Sequence, residues 1–427
     1  MSLIQEILDH EVFPAVGCTE PISCAFACAA AAAELPGPAE RIELTVDPAT
    51  YKNGAAVTIP HSGGRTGNPI AAALGALIAR PELHLEILRD VTPEVLSCAV
   101  RMLASGRVTY RCDERRRELY VEAIVTSGAS SVRCVVSGGH THIACLQLDG
   151  RPLPTVAAAA TDLAYRERLK ALSLEAVLRE ALRLTPQQRA YLQRGIDMNL
   201  AIAEKGIDLR GNAFQLQQMM KQGLMADDLF FRVKTRVASA LDARMGGLPE
   251  PVMTSGGSGN QGTMTILLPY LVGRDRQIDL PRIQESIAIG HAVNSYIKQF
   301  TGELSAVCGC AIAASIAAAV AIVYQHVGID MPKITLAVHN ILGDLCGIIC
   351  DGAKPGCSLK IVSGADAAMR SAFMALAGHG TSPADGVIGR SAEESIRNLS
   401  RISLEGMGGV DATVVNILQH KAAAEEV

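Results

Sequence analysis

The chain has 427 residues, twelve of them cysteine, and five of those cysteines fall between Cys308 and Cys357. Cys308-Gly309-Cys310 opens an apolar run, and Cys350-Asp351-Gly352-Ala353-Lys354-Pro355-Gly356-Cys357 follows further along, with Cys346 one helical turn before Cys350. Iron–sulfur clusters are held by Cys thiolates on segments whose Gly and Pro let the backbone wrap the cluster and donate N–H bonds to its sulfurs. Structural zinc prefers two close Cys pairs, and only Cys346–Cys350 approaches that spacing. Spacing alone leaves two readings open: a metal or cluster site, or scattered buried thiols.

Three other segments combine Gly with reactive or hydrogen-bonding side chains. In Gly17-Cys18-Thr19-Glu20-Pro21 a helix is expected from near Pro21, and its dipole would favour a Cys18 thiolate. A small buried hydrophobe is the other reading of Cys18, and the expected fate of Cys24 and Cys28. Tyr51-Lys52-Asn53-Gly54 and the loop from Pro60 to Asn68 carry two cations. Lys52 and Arg65 could clamp a carboxylate that Asn53, Ser62 and Thr66 orient; a structural loop with surface cations is the alternative. The run from Thr254 to Gly262, TSGGSGNQG, resembles an anion-binding nest, but no Gly-Lys-Ser/Thr follows to make it a Walker loop. His140 and His142 read as an exposed strand, and His379 as part of a flexible loop that could line a site.

The elements that must carry these residues form an α+β chain. Alternating runs predict strands at 41–47, 108–112, 119–125, 131–136 and 141–148, the last four as an antiparallel meander of hairpins. A helix is expected at 92–104. Beyond about residue 162 the alternation gives way to helical periodicity, with helices expected at 173–184, 186–204, 227–245, 281–299, 306–326, 365–377 and 391–399. This predicts an N-terminal α/β part with an antiparallel sheet over 1–165 and an all-α part over 166–427, with the junction near 155–170.

Composition narrows the function classes. Hydrophobic residues make up 49% and charged residues 19%, as in a core-rich globular protein, and with no Trp and 4% aromatics the core must be aliphatic. The net charge of −4 is not segregated, and the one basic run, Arg115-Arg116-Arg117, is flanked by Glu114 and Glu118, so nucleic acid is not an expected partner. MSLIQEILDHEV lacks the basic and apolar regions of a signal peptide. The apolar 306–327 stretch reads as a buried helix rather than a membrane span. Many cysteines without such a signal point to a reducing, cytoplasmic setting.

Taken in order, GCTEP, YKNG…HSGGRTGN, TSGGSGNQG, CGC and CDGAKPGC resemble the L-cysteine desulfidase family from end to end. That family is also known as UPF0597 or serine-dehydratase-like, and is related to the iron–sulfur L-serine dehydratases. The resemblance implies a [4Fe–4S] cluster on Cys310, Cys350 and Cys357, with Cys308 and Cys346 as neighbours and Cys18 as proton acceptor. It implies a pyridoxal-phosphate-independent lyase that releases sulfide from L-cysteine, giving pyruvate and ammonia, and a homodimer. Three ligands on four irons would leave one iron open as a Lewis acid for the substrate's β-substituent. Residue chemistry adds Lys52, Asn53, Arg65 and Asn260 as holders of the substrate's carboxylate and amino group. Two other readings stand beside this one: a serine dehydratase with the same cluster, and a non-catalytic iron–sulfur sensor.

Overall fold

Strand Arg41–Val46 turns Ile42, Leu44 and Val46 inward and its alternate residues out. Such a run must lay one face on a core, and it does so from an inner position of a six-stranded sheet. In the computed structural model, which describes residues 2–116, 118–154, 164–302 and 305–425, the spatial order is Val108–Cys112, Arg41–Val46, Tyr120–Ser127, Ser130–Ser137, Ile143–Leu148 and Arg151–Pro152. Arg117, and residues 155–163 of the expected junction, lie outside the described residues.

The expected four-strand meander is corrected at its first step. The three later strands pair as antiparallel neighbours. Val108–Cys112 instead pairs parallel with Arg41–Val46, which is inserted between it and Tyr120–Ser127. The physical reason is burial. Val108–Cys112 has no fully buried residue and suits an edge, whereas Arg41–Val46 buries three and needs neighbours on both sides. The parallel pair requires a long crossover, and the helices Asn68–Ile78 and Pro93–Ala104 lie within it.

Helices Thr19–Ala33 and Asn68–Ile78 join the sheet core through Ile22, Phe26, Ile70 and Leu74. They approach so closely that a Cβ on Gly75 would lie 2.0 Å from the Ala25 carbonyl oxygen. Cys24 and Cys28 are fully buried here, the core role expected of them.

A second core gathers most of the helices after residue 164, together with the first helix, Leu3–Glu11. At its centre Ala313–Val327 is buried from Ala313 to Gln325. This helix begins later than expected because residues 306–308 are already bonded elsewhere. Cys350 N donates to Ala306 O (2.7 Å), Cys308 N donates to Ile348 O (2.8 Å), and Val307 bridges Ile349. The helix expected at 365–377 begins earlier, as Cys357–Leu376. A two-stranded ribbon, Pro14–Val16 with Pro251–Met253, joins the start of the chain to this helical part. The whole is a mixed α+β structure. No helix among the described residues is long and apolar enough to cross a membrane.

Candidate functional site

Tyr51-Lys52-Asn53-Gly54, expected in a loop, forms part of the helix Pro48–Ala55, whose start is capped by Asp47 through Ala49 N and Thr50 N, both 2.9 Å. That cap fixes the rotation of a short helix and turns Lys52 and Asn53 inward, where both are buried. Lys52 Nζ donates to Cys350 O at 2.9 Å and pairs with Asp411 at 2.5 Å. Gly352 lies against the same helix, at φ +99°, where a Cβ would stand 2.2 Å from Lys52 O. Only glycine fits that approach, so the cysteine loop is seated on the helix.

Cys18 is the N-cap of Thr19–Ala33, with extended backbone (φ −85°, ψ 135°) and no side-chain cap bond. Its thiol instead donates to Glu20 Oε2 at 2.9 Å. Glu20 also accepts from Thr19 Oγ1 at 3.1 Å and Asn53 Nδ2 at 2.9 Å. The expected lowering of the Cys18 pKa is corrected. Burial, followed by the Glu20 charge, pushes this thiol well above its ordinary value, and Arg244 offsets only part of that. Burial alone would raise Glu20, but the His140 charge, the Cys18 thiol, its own backbone and the Arg244 charge together hold it below its ordinary value. The resting pair is therefore a thiol donating to a carboxylate.

These residues face a cavity that is also lined by Cys308, Cys310, Cys350 and Cys357. Cys308 and Cys310 share a hydrogen bond that holds Cys308 below its ordinary value and pushes Cys310 up. Burial raises Cys350, with Lys52 opposing, and takes Cys357 to about 11. Cys310, Cys350 and Cys357 are partly buried, so lone thiolates there are poorly solvated; with Lys52 and Lys360 nearby they suit ligation to a metal, which stabilises thiolate by direct bonding. No three His, Cys, Asp or Glu side chains among the described residues converge to hold a single metal ion. A cluster asks for something else, since each thiolate meets a different iron and the ligands stand around the group. The donor set and its glycine-seated loop fit such a group.

Of the substrate-binding candidates, Lys52, Asn53 and Asn260 line the cavity. Arg65 does not. It is exposed, and its Nη1 donates to Ser62 O within its own loop, closed by the Thr58–Thr66 bridge and turned by positive φ at His61, Gly63, Gly64 and Gly67. Four charged lining residues carry no role in the sequence reading: Glu20, although it sits inside GCTEP, and Arg244, Lys298 and Lys360. His140, expected on an exposed strand, is placed elsewhere. It lies in the turn before Ile143–Leu148 and lines the cavity, and its Nε2 is buried without a partner. His142 bonds Ser137 O through Nδ1, and His379 is exposed and does not line this cavity.

Residues 82–416 match the family model of the serine dehydratase alpha chain. The whole chain is similar to the UPF0597 protein of Geobacter sulfurreducens, 48% identical over 100% of both chains. The UPF0597 protein of Elusimicrobium minutum is 40% identical over 99% of this chain and 100% of its own. That of Desulfotalea psychrophila is 37% identical over 98% of each. No solved structure matches.

Proposed function

This chain belongs to the UPF0597, serine dehydratase-like family, and from that premise we propose that it is a [4Fe–4S]-dependent lyase that eliminates sulfide from L-cysteine. The observation that carries this reading is one cavity lined both by Cys310, Cys350 and Cys357 and by the Cys18–Glu20 pair. It joins a ligand set for a leaving-group activator to a proton acceptor.

In this reading Cys310, Cys350 and Cys357 hold the cluster, which when bound supplies a Lewis-acidic iron to the β-substituent. Cys18 takes the α-proton. Because it rests as a thiol, it does so while its own proton passes to Glu20, so a C–H bond breaks, a Glu20 O–H bond forms and the sulfur is left unchanged. The electron pair released at Cα expels the β-substituent, and the aminoacrylate product tautomerises and hydrolyses to pyruvate and ammonia. Asn53 donates to Glu20 and thereby fixes the direction of that transfer. Asn260 and Lys52 border the space left for substrate.

Serine is the second substrate to be weighed, since the family model that matches is that of a serine dehydratase. Anaerobic purification, iron and sulfide analysis, and parallel assays of sulfide from L-cysteine and pyruvate from L-serine test the proposal. Iron-loaded protein that turns over neither substrate would defeat the lyase reading and leave the sensor. Cys350→Ser is expected to lose the brown chromophore and activity together, and a brown, active variant would remove Cys350 from the ligand set.

A further inference from the structure

We propose, resting on the amino-acid reading of this cavity, that Arg244 and Lys298 form the subsite for the substrate's α-carboxylate. Four Lys or Arg side chains line the cavity. Two already pair with a carboxylate, Lys52 with Asp411 and Lys360 with Asp351, which it shares with Lys354. The bonds made by the other two go to uncharged oxygens. Arg244 donates to Asn260 Oδ1 (2.7 Å) and Gly17 O (2.5 Å), and Lys298 donates to Gly256 O.

Arg244 is 2% exposed, and its Nε is buried with no partner. A buried guanidinium with neither a carboxylate in contact nor a full set of acceptors is costly unless an anion arrives to complete it. Its position is built for: a Cβ on Gly259 would come within 2.4 Å of that Nε. Arg244 and Lys298 bracket the segment Gly256–Asn260, one bonded at each end, and Ser258 there caps the helix Gly259–Asp275. The helix N-terminus adds positive potential to the same wall.

The opposite charge is equally localised, because Glu20 is the only carboxylate among the described lining residues. A zwitterion fits this polarity, with its carboxylate at Arg244 and Lys298 and its ammonium group on the Glu20 side. Lys298 also lines a second, neighbouring cavity, together with His140, Gly256, Gly257 and Gly302. It stands where the two cavities meet.

The test uses the anaerobically purified full chain and ligands that cannot turn over. L-Alanine, L-alaninamide and propionate are titrated by calorimetry against wild type, Lys298→Gln and Arg244→Lys. L-Alanine is expected to bind wild type and to weaken about tenfold or more in Lys298→Gln, with L-alaninamide failing to bind. Lys298→Gln is also expected to raise KM much more than it lowers kcat. If Arg244→Lys does not fold, Lys298→Gln carries the test. Equal binding of L-alanine by wild type and Lys298→Gln, or equal binding of the amide and the acid, overturns the subsite and leaves the amino-acid reading standing. Propionate binding that depends on Lys298, with L-alanine no better, keeps the subsite and defeats the amino-acid reading. Wild type that binds none of the three overturns the subsite.

Discussion

Cys18 hands its thiol proton towards Glu20 across 2.9 Å, and both are buried in the wall of the cysteine-lined cavity. A thiolate at a helix start would be a free-standing base. In the proposed mechanism a thiol bonded to an ionised carboxylate is one half of a relay, and its activity depends on its partner.

Glu20→Gln keeps the shape of the side chain and removes the proton acceptor. The expected result is a kcat lower by about 10²–10⁴-fold, with iron content and chromophore unchanged. Wild-type kcat in this variant would show that Cys18 works without Glu20.

Arg65→Ala is expected to leave KM within about twofold of wild type, since surface changes away from a site have little effect. The Arg65 guanidinium donates to the Ser62 carbonyl of its own exposed loop. A large rise in KM would mean that this loop closes over the cavity when substrate binds.

Gly352→Ala tests the seat of the cysteine loop. Its φ of +99° and the 2.2 Å approach to Lys52 O leave no room for a side chain. The strained backbone costs roughly 1–3 kcal/mol and the clash adds to it, so a lower Tm and a lower iron-to-protein ratio are expected. Gly378→Ala is the control, because φ there is +79° but nothing lies within 4 Å. It should lose some stability and keep its iron.

Alkaline pH should weaken the sheet core. Burial pushes Cys24 and Cys28 up and takes Cys134 to about 12. In the unfolded chain these thiols ionise near their ordinary value of about 8.5. The folded pKa values are the raised ones, so this contribution to stability is complete below that value and is lost as pH rises above it. Tm should fall through the alkaline range, and less steeply in Cys28→Ala. Parallel curves for the two proteins would rule out Cys28 as a contributor.

Much of this architecture was legible in the sequence because local rules carry it. The alternation of 41–47 gave a strand with one apolar face, and Thr92 before Pro93 marked a helix start that the structure keeps. Ordered motifs along the chain gave the family. The partner of Val108–Cys112 was not legible, because strand pairing depends on which strands need burial on both sides.

At the site, the sequence by itself determined which residues could react: a group of cysteines, a Gly-Cys turn at a helix start, and glycine-rich polar loops. Only the tertiary structure decided which of them meet. It buried Cys18 beside Glu20 and so reversed the expected direction of its pKa, because desolvation and the Glu20 charge there outweigh what Arg244 offsets. It left Arg65 on the surface and brought Arg244 and Lys298, from two separate helices, to opposite ends of the Gly256–Asn260 segment. Neither cation has a motif to announce it. The role proposed for them follows from the charges that surround them, and those are set by distances between segments far apart in the chain.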